Sequence, residues 1–214
     1  MDGRLPNLYL VTDRALCNSR PLEQVVGLAV KGGVGMVQLR EKDISTRGFI
    51  KLASALKEML SPVGIPIIIN DRIDVALAVG ADGVHIGQSD MPYKTARKLM
   101  GPDAIIGLSV ESMEEVLEAQ DFDVDYLGVS PVFATPTKTD TKVEWGLEGI
   151  AKIKGISGHP LVAIGGINSA NVDQVLGAGA DCVAVVSDIC SAPDPEKAAR
   201  ELLNAFKKSP GELK

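Results

Sequence analysis

This sequence predicts a (β/α)8 barrel of the TIM type, and three observations carry the prediction. Eight short, strand-like apolar runs alternate with stretches of helical periodicity along 214 residues. The runs are nearly continuous in apolar residues, as strands become when both faces of a parallel sheet are covered. Polar and glycine residues gather at one end of the runs, while the opposite junctions are mostly Gly-Ala and Pro turns. That asymmetry marks an active-site face, because barrels of this kind carry their chemistry at the carboxyl ends of the strands. An open doubly wound sheet shares the alternation but usually has fewer units.

The elements follow in order. "LYLVT" (8–12) forms the first strand and exits into "TDR"; "PLEQVVGLAVKGG" (21–33) has helical spacing. "MVQLR" (36–40) runs out through "QLREK", and "TRGFIKLASALKEML" (46–60) is the next amphipathic helix. "PIIIN" (66–70) exits into "NDR", "GVHIG" (83–87) into "GQSD", and "AIIGLSV" (104–110) into "LSVES", which leads to the helical "MEEVLEAQ" (113–120). "YLGVS" (126–130) exits into "SPVFATPTK", "PLVAIG" (160–165) into "IGGIN", and "CVAVVS" (182–187) into "VVSDI"; "DPEKAARELLNAFKK" (194–208) closes the pattern. Glycines in "KGGVG", "AVGADG" and "GAGADC" stop helices just before the next strand. The "GADG" and "GADC" echoes fit two equivalent helix-to-strand turns. Nothing resembles a linker, so residues 1–214 are read as one domain, with a tail "KKSPGELK" that is expected to fray.

Composition removes several classes. A net charge of −6 argues against a nucleic-acid binder, which needs a basic face, although a local pocket can still be basic. Three cysteines without metal spacing and two histidines disfavour a structural zinc site. Cys182 stands in an apolar run and reads as a small core residue. No stretch reads as a secretion signal or a bilayer span, so a reducing cytoplasm and no membrane association are expected. The length permits a monomer or a homodimer.

The strand exits hold the candidate chemistry. In "QLREK", strand alternation sends Gln38, Arg40 and Lys42 to one side and Leu39 and Glu41 to the other. A partly buried Arg and Lys need anionic partners, either a ligand or neighbouring acids such as Asp13 or Asp71. Asp71 and Asp90 end adjacent strands about 4.8 Å apart and could share one cation. Magnesium takes one or two carboxylates and completes its shell with water and substrate phosphate oxygens. Each Asp alone could equally be a helix N-cap.

The stretch "ATPTKTDTK" (134–142) sets four threonines and two lysines in nine residues. With Gly165 and Gly166 of "AIGGIN", and the amides and hydroxyl of Val186 and Ser187, it makes a region rich in neutral donors, suited to a monophosphate. Arg40, Lys42, Asp71, Asp90 and Lys138 make a second, cationic region suited to a diphosphate with magnesium. Thr135 and Thr137 belong to the first region and Lys138 to the second. There is no Ser-His-Asp set, no Cys-His pair and no confident general base, and His85, inside a strand, reads as a core histidine. Departure of a magnesium-bound diphosphate needs only charge stabilisation and positioning.

Taken together, "LYLVTDR", "QLREKD", "IINDRIDVALAVGADGVHIGQSDMP", "GVSPVFATPTKTDT", "AIGGIN" and "VVSDI" resemble the thiamine phosphate synthase family over essentially the whole chain. The resemblance implies a (β/α)8 transferase that joins hydroxymethylpyrimidine diphosphate to hydroxyethylthiazole phosphate, giving thiamine phosphate and diphosphate. It implies that Gln38, Arg40, Lys42, Asn70, Ser109 and Lys138 hold the pyrimidine diphosphate and that Asp71 and Asp90 bind Mg2+. It implies that Thr135, Thr137, Gly166, Val186 and Ser187 hold the thiazole phosphate. Diphosphate is thought to leave first in that family, with the thiazole nitrogen capturing the pyrimidine-methyl cation, so the alkylation step moves no obligatory proton. Ser89 stands in "GQSD" where an acidic residue is common. Two rival readings are a thiazole tautomerase on the same scaffold, which needs a proton shuttle, and a non-catalytic barrel that binds a thiamine precursor.

Overall fold

A computed structural model describes residues 5–135 and 144–206. Eight parallel strands close in sequence order into a barrel: β1 (Leu8–Val11), β2 (Met36–Leu39), β3 (Ile67–Asn70), β4 (Gly83–Ile86), β5 (Ile105–Val110), β6 (Tyr126–Val129), β7 (Leu161–Ile164) and β8 (Cys182–Val185). All eight runs read from the sequence are strands. Around them lie α1 (Leu22–Lys31), α2 (Thr46–Leu60), α3 (Ile73–Val79), α4 (Tyr93–Met100), α5 (Met113–Glu118), α6 (Gly146–Lys154) and α7 (Val172–Gly177). The final outer helix is α9 (Pro195–Phe206); a one-turn helix, α8 (Ser187–Cys190), interrupts the path from β8 to it. The tail 207–214 lies outside the described residues.

Strand alternation divides the apolar side chains into two cores. Leu8, Leu10, Val37, Leu39, Ile67 and Ile69 turn outward and pack under the helices. Tyr9, Met36, Ile68, Tyr126, Val162 and Cys182 turn inward and fill the lumen. Cys182 is thus a buried lumen residue, and burial pushes its thiol pKa well up, which keeps it a neutral filler.

The "GADG" and "GADC" turns are equivalent in structure, and a third joins them. Asp82, Asp125 and Asp181 each stand immediately before an even-numbered strand and reach back to the preceding odd-numbered one. Their carboxylates accept the backbone N–H of Ile67, Ile106 and Leu161 at 2.9, 2.8 and 2.8 Å. Each also meets a cation from the helix before that strand: Lys57 at 2.7 Å, Arg97 at 3.2 Å and Lys154 at 2.6 Å. These clamps stitch strand to strand at the amino-terminal end of the barrel, opposite the functional face. A free backbone N–H there would otherwise be an unpaired donor.

Candidate active site

A cavity of about 420 Å³ opens at the carboxyl ends of the strands and reaches down to Tyr9 and Tyr126 in the lumen. Gln38, Arg40, Lys42, Asn70, Asp71, Asp90, Ser109, Thr135, Gly166, Val186 and Ser187 all line it. Thr137 and Lys138 lie outside the described residues.

β2 ends at Leu39, yet the chain beyond it keeps the alternation expected of a strand. Arg40 and Lys42 face the cavity, while Glu41 turns away to pair with Arg14 at 3.1 Å. The Arg40 backbone N–H is anchored on Thr12 Oγ1 at 3.1 Å, but its guanidinium has no ion-pair partner among the described residues. Lys42 Nζ meets Asp71 Oδ2 at 2.6 Å. Among the described residues the two cations therefore behave differently: Lys42 has a counter-ion and Arg40 has none. Asp13 serves neither, because its side chain caps the short 3-10 turn Arg14–Cys17 by accepting the Ala15 N–H at 3.0 Å.

Asp71 adopts φ +60, the left-handed region that costs an L residue strain and that Asp tolerates better than most. Its backbone N–H is held by the His85 carbonyl at 2.9 Å. Neither carboxylate is the cap of the following helix. The residues flanking α3 and α4 in the capping positions are Arg72 and Pro92, and no side-chain cap bond is made at either. Asp90 instead accepts the Gly87 N–H at 2.7 Å, which folds the β4 exit back on itself. Partial burial raises the Asp90 pKa above the ordinary carboxylate range; the Gly87 N–H pulls it back, and nearby Asp71 pushes it further up. Two neighbouring carboxylates at a mouth, one of them energetically reluctant to ionise, form an arrangement that a divalent cation relieves.

On the other side, the β6 and β7 exits continue to pair beyond the strands. Val132 N–H donates to the Ile164 carbonyl at 3.0 Å and Phe133 N–H to the Gly165 carbonyl at 3.1 Å. This packing explains the two glycines. A Cβ on Gly165 would lie 2.7 Å from Pro131 Cβ, and one on Gly166 would lie 2.8 Å from the Ala134 carbonyl oxygen. Both residues also have positive φ, 104 and 66. The neighbouring β6 loop, and not only a ligand's approach, therefore demands glycine here. Asn171 Nδ2 holds the Gly166 carbonyl at 2.9 Å, fixing that peptide. In α8, the Val186 and Ser187 carbonyls accept bonds from Cys190 and Ser191, as in any first turn, and their own amides begin the helix.

The sequence reading missed part of the cavity. His85 is not a plain core histidine: its ring lies in the lumen, hydrogen-bonds Tyr126 Oη at 3.0 Å and Ser109 Oγ at 2.8 Å, and lines the cavity. Tyr9 and Tyr126 form the floor, and Glu111 and Glu115 stand at the rim. The register held the missing signal. His85 pairs with Asn70, and Asn70 ends β3 at the mouth, so both side chains belong to the same inward-facing set.

The chain is similar to proteins of known family. The thiamine monophosphate synthase family model matches residues 8–189. A thiamine-phosphate synthase of Albidiferax ferrireducens is 57% identical over 201 residues, covering 92% of each chain. One from Leptospira biflexa is 52% identical over 210 residues, covering 96% of this chain and all of its own. The solved structure of thiamine phosphate pyrophosphorylase from Pyrococcus furiosus superposes with a TM-score of 0.89 at 40% identity, covering 99% of this chain and 100% of that one. A 3-hexulose-6-phosphate synthase at 18% identity and TM-score 0.68 shares the barrel fold. The chain belongs to the thiamine monophosphate synthase family.

Proposed function

We propose that this barrel is a thiamine phosphate synthase, a transferase that condenses hydroxymethylpyrimidine diphosphate with hydroxyethylthiazole phosphate and releases diphosphate. Family membership gives the reaction, and one structural observation supports the placement. The Arg40 guanidinium, without an ion-pair partner among the described residues, and the Asp71/Asp90 pair share one cavity with a glycine-rich rim of neutral donors. A trianionic diphosphate suits the first side and a monophosphate the second.

Arg40, Lys42, Asn70 and Lys138 are assigned to the diphosphate, Gln38 and Ser109 to the pyrimidine. Thr135, Thr137, Gly166, Val186 and Ser187 are assigned to the thiazole phosphate. Mg2+ fits Asp71 and Asp90, because a carboxylate pair plus substrate oxygens is a sufficient donor set; bound there, it would neutralise charge building on the leaving diphosphate. Arg40 stabilises the same charge from the protein side. As the methylene C–O bond breaks, its electron pair leaves with the diphosphate. The thiazole nitrogen lone pair forms the new C–N bond, so no base is required at that step. The rim on the opposite side orients the thiazole for that attack.

The proposal includes a single catalytic domain over residues 1–214 and a cytoplasmic location, which suits three free thiols. Among the described residues, no helix is long and apolar enough to cross a membrane. A tautomerase or a non-catalytic binding barrel finds no support in relatives that carry the synthase name at this identity. The test is turnover: purified protein with both substrates and Mg2+ should give thiamine phosphate and diphosphate in equal amounts. Folded protein that binds both substrates and forms no product would overturn the assignment.

A further inference from the structure

Beneath the substrate groups, a continuous hydrogen-bonded line crosses the barrel floor. Gln38 Nε2 donates to Tyr9 Oη at 2.9 Å, and Tyr9 Oη bonds Tyr126 Oη at 3.0 Å. Tyr126 Oη bonds His85 Nδ1 at 3.0 Å, and His85 Nε2 bonds Ser109 Oγ at 2.8 Å. It thus joins β2 to β5 through side chains from β1, β6 and β4. Both phenols are buried, which pushes their pKa values up and keeps them as neutral hydroxyls that donate one bond each.

The rings have slots cut for them. A Cβ on Gly107 would lie 2.1 Å from Tyr126 Cζ, and one on Gly128 would lie 2.8 Å from His85 Cε1. Glycine inside a strand weakens it, so two glycines on adjacent strands mark a place where large side chains must lie flat against backbone. The His85 and Tyr126 rings stack in that space at 5.5 Å and 18°, and Tyr9 meets Tyr126 edge-on at 5.9 Å.

The line has a direction. An amide nitrogen only donates, so the Tyr9 oxygen accepts from Gln38; Tyr126 is then the one acceptor among these side chains for the Tyr9 proton, and giving it there sets the direction of the line. The Tyr126 proton goes to His85 Nδ1, leaving His85 with its proton on Nε2 and donating to Ser109. The Gln38 carbonyl oxygen and the Ser109 hydroxyl proton are then left for the cavity. The opposite direction requires the Gln38 amide turned over and the His85 proton moved to Nδ1.

We propose that Tyr9 and Tyr126 are positioning residues of the pyrimidine site: their hydroxyls couple the Gln38 amide to the Ser109 hydroxyl and fix which hydrogen-bonding atoms the cavity floor presents. A pyrimidine ring, with an acceptor nitrogen beside an exocyclic donor, requires such a fixed donor and acceptor set. The inference rests on the synthase reading for its substrate, and its test separates the two.

Nitrogen-15 NMR of the histidines in ligand-free wild-type protein should show His85 as the Nε2-protonated tautomer; the Nδ1-protonated tautomer, or a mixture of both, would overturn the directed line whatever the protein catalyses. In kinetics, Tyr126→Phe keeps the ring in its slot and removes only the hydroxyl. It should raise KM for hydroxymethylpyrimidine diphosphate about tenfold, equivalent to one hydrogen bond to the pyrimidine lost, and leave KM for the thiazole phosphate within about twofold. It should also release His85 into a tautomer mixture. Unchanged KM values would contradict the positioning role. Should Tyr126→Phe not fold, Tyr9→Phe and the wild-type NMR spectrum carry the same decision. Wild-type protein that shows the expected tautomer and forms no thiamine phosphate would remove the synthase reading and leave the line standing.

Discussion

Asp71 shows how single residues divide stability from function. Its left-handed φ of +60 is strained, and the ion pair with Lys42 that accompanies it is partly solvated and screened. Asp71→Gly and Asp71→Ala should therefore lose magnesium-dependent turnover alike, by about a hundredfold in kcat/KM. Thermal unfolding should separate them, because glycine relieves the backbone and alanine does not: the glycine variant should be about 1 kcal/mol the more stable. Equal stabilities would mean that the conformation carries no strain. Ser187→Ala should raise KM for the thiazole phosphate about five- to tenfold and leave that for the pyrimidine diphosphate unchanged; an equal rise in both would contradict two separate anion regions. Asp90 predicts a pH effect. Because burial and Asp71 raise its pKa, a proton competes with Mg2+ at a higher pH than at an ordinary aspartate, near 3.9. Magnesium affinity, measured by calorimetry without substrates, should therefore weaken on acidification while an unperturbed carboxylate would still be ionised. Asp90→Asn should remove that dependence. At this scale the sequence named Asp71 and Asp90 from their strand exits. It offered Asp13 or Asp71 as acidic partners but could not show that, among the described residues, Asp71 pairs with Lys42 and no acid pairs with Arg40, because side-chain pairing across two loops leaves no mark on either.

The clamps are the feature to test among the elements. Asp181 holds the Leu161 N–H at 2.8 Å and Lys154 at 2.6 Å, repeating what Asp82 and Asp125 do two strands apart. The ion pair is about 40% exposed on both partners and contributes little; the backbone donor is the larger part. Asp181→Ala should lower stability by about 1–2 kcal/mol, seen in the denaturation midpoint, with steady-state turnover unchanged at temperatures where the fold persists. A loss of turnover without a loss of stability would place Asp181 in the working site and contradict the division between the two ends of the barrel. The "GADG" and "GADC" echoes made two equivalent turns legible in advance, but not the clamps that their aspartates form. The third, at Asp125, sits in "DVDY" and has no glycine signature, so only the folded register displays it. His85 escaped for a related reason. A run buried on both faces gives no alternation of polar and apolar residues, so the sequence does not say which side of β4 is the lumen.

For the whole molecule, closure of eight short strands brings residues from opposite ends of the chain to one mouth: Thr12 beside Arg40, and Val186 and Ser187 across from Asp71. That arrangement was legible because strand exits in this architecture share a face whatever their order. The lumen floor was not, since Tyr9 and Tyr126 are 117 residues apart and meet only once the barrel closes. On the proposed function, the Asp71/Asp90 side of the mouth holds a divalent ion together with diphosphate. Crystals grown with Mn2+, thiamine phosphate and diphosphate would test it directly through anomalous scattering. One metal peak is expected, bound by Asp71 and Asp90, with diphosphate against Arg40 and the thiamine phosphate group at Gly166 and Ser187. A fully occupied metal away from both carboxylates, or diphosphate lying on the Gly166 rim, would contradict it.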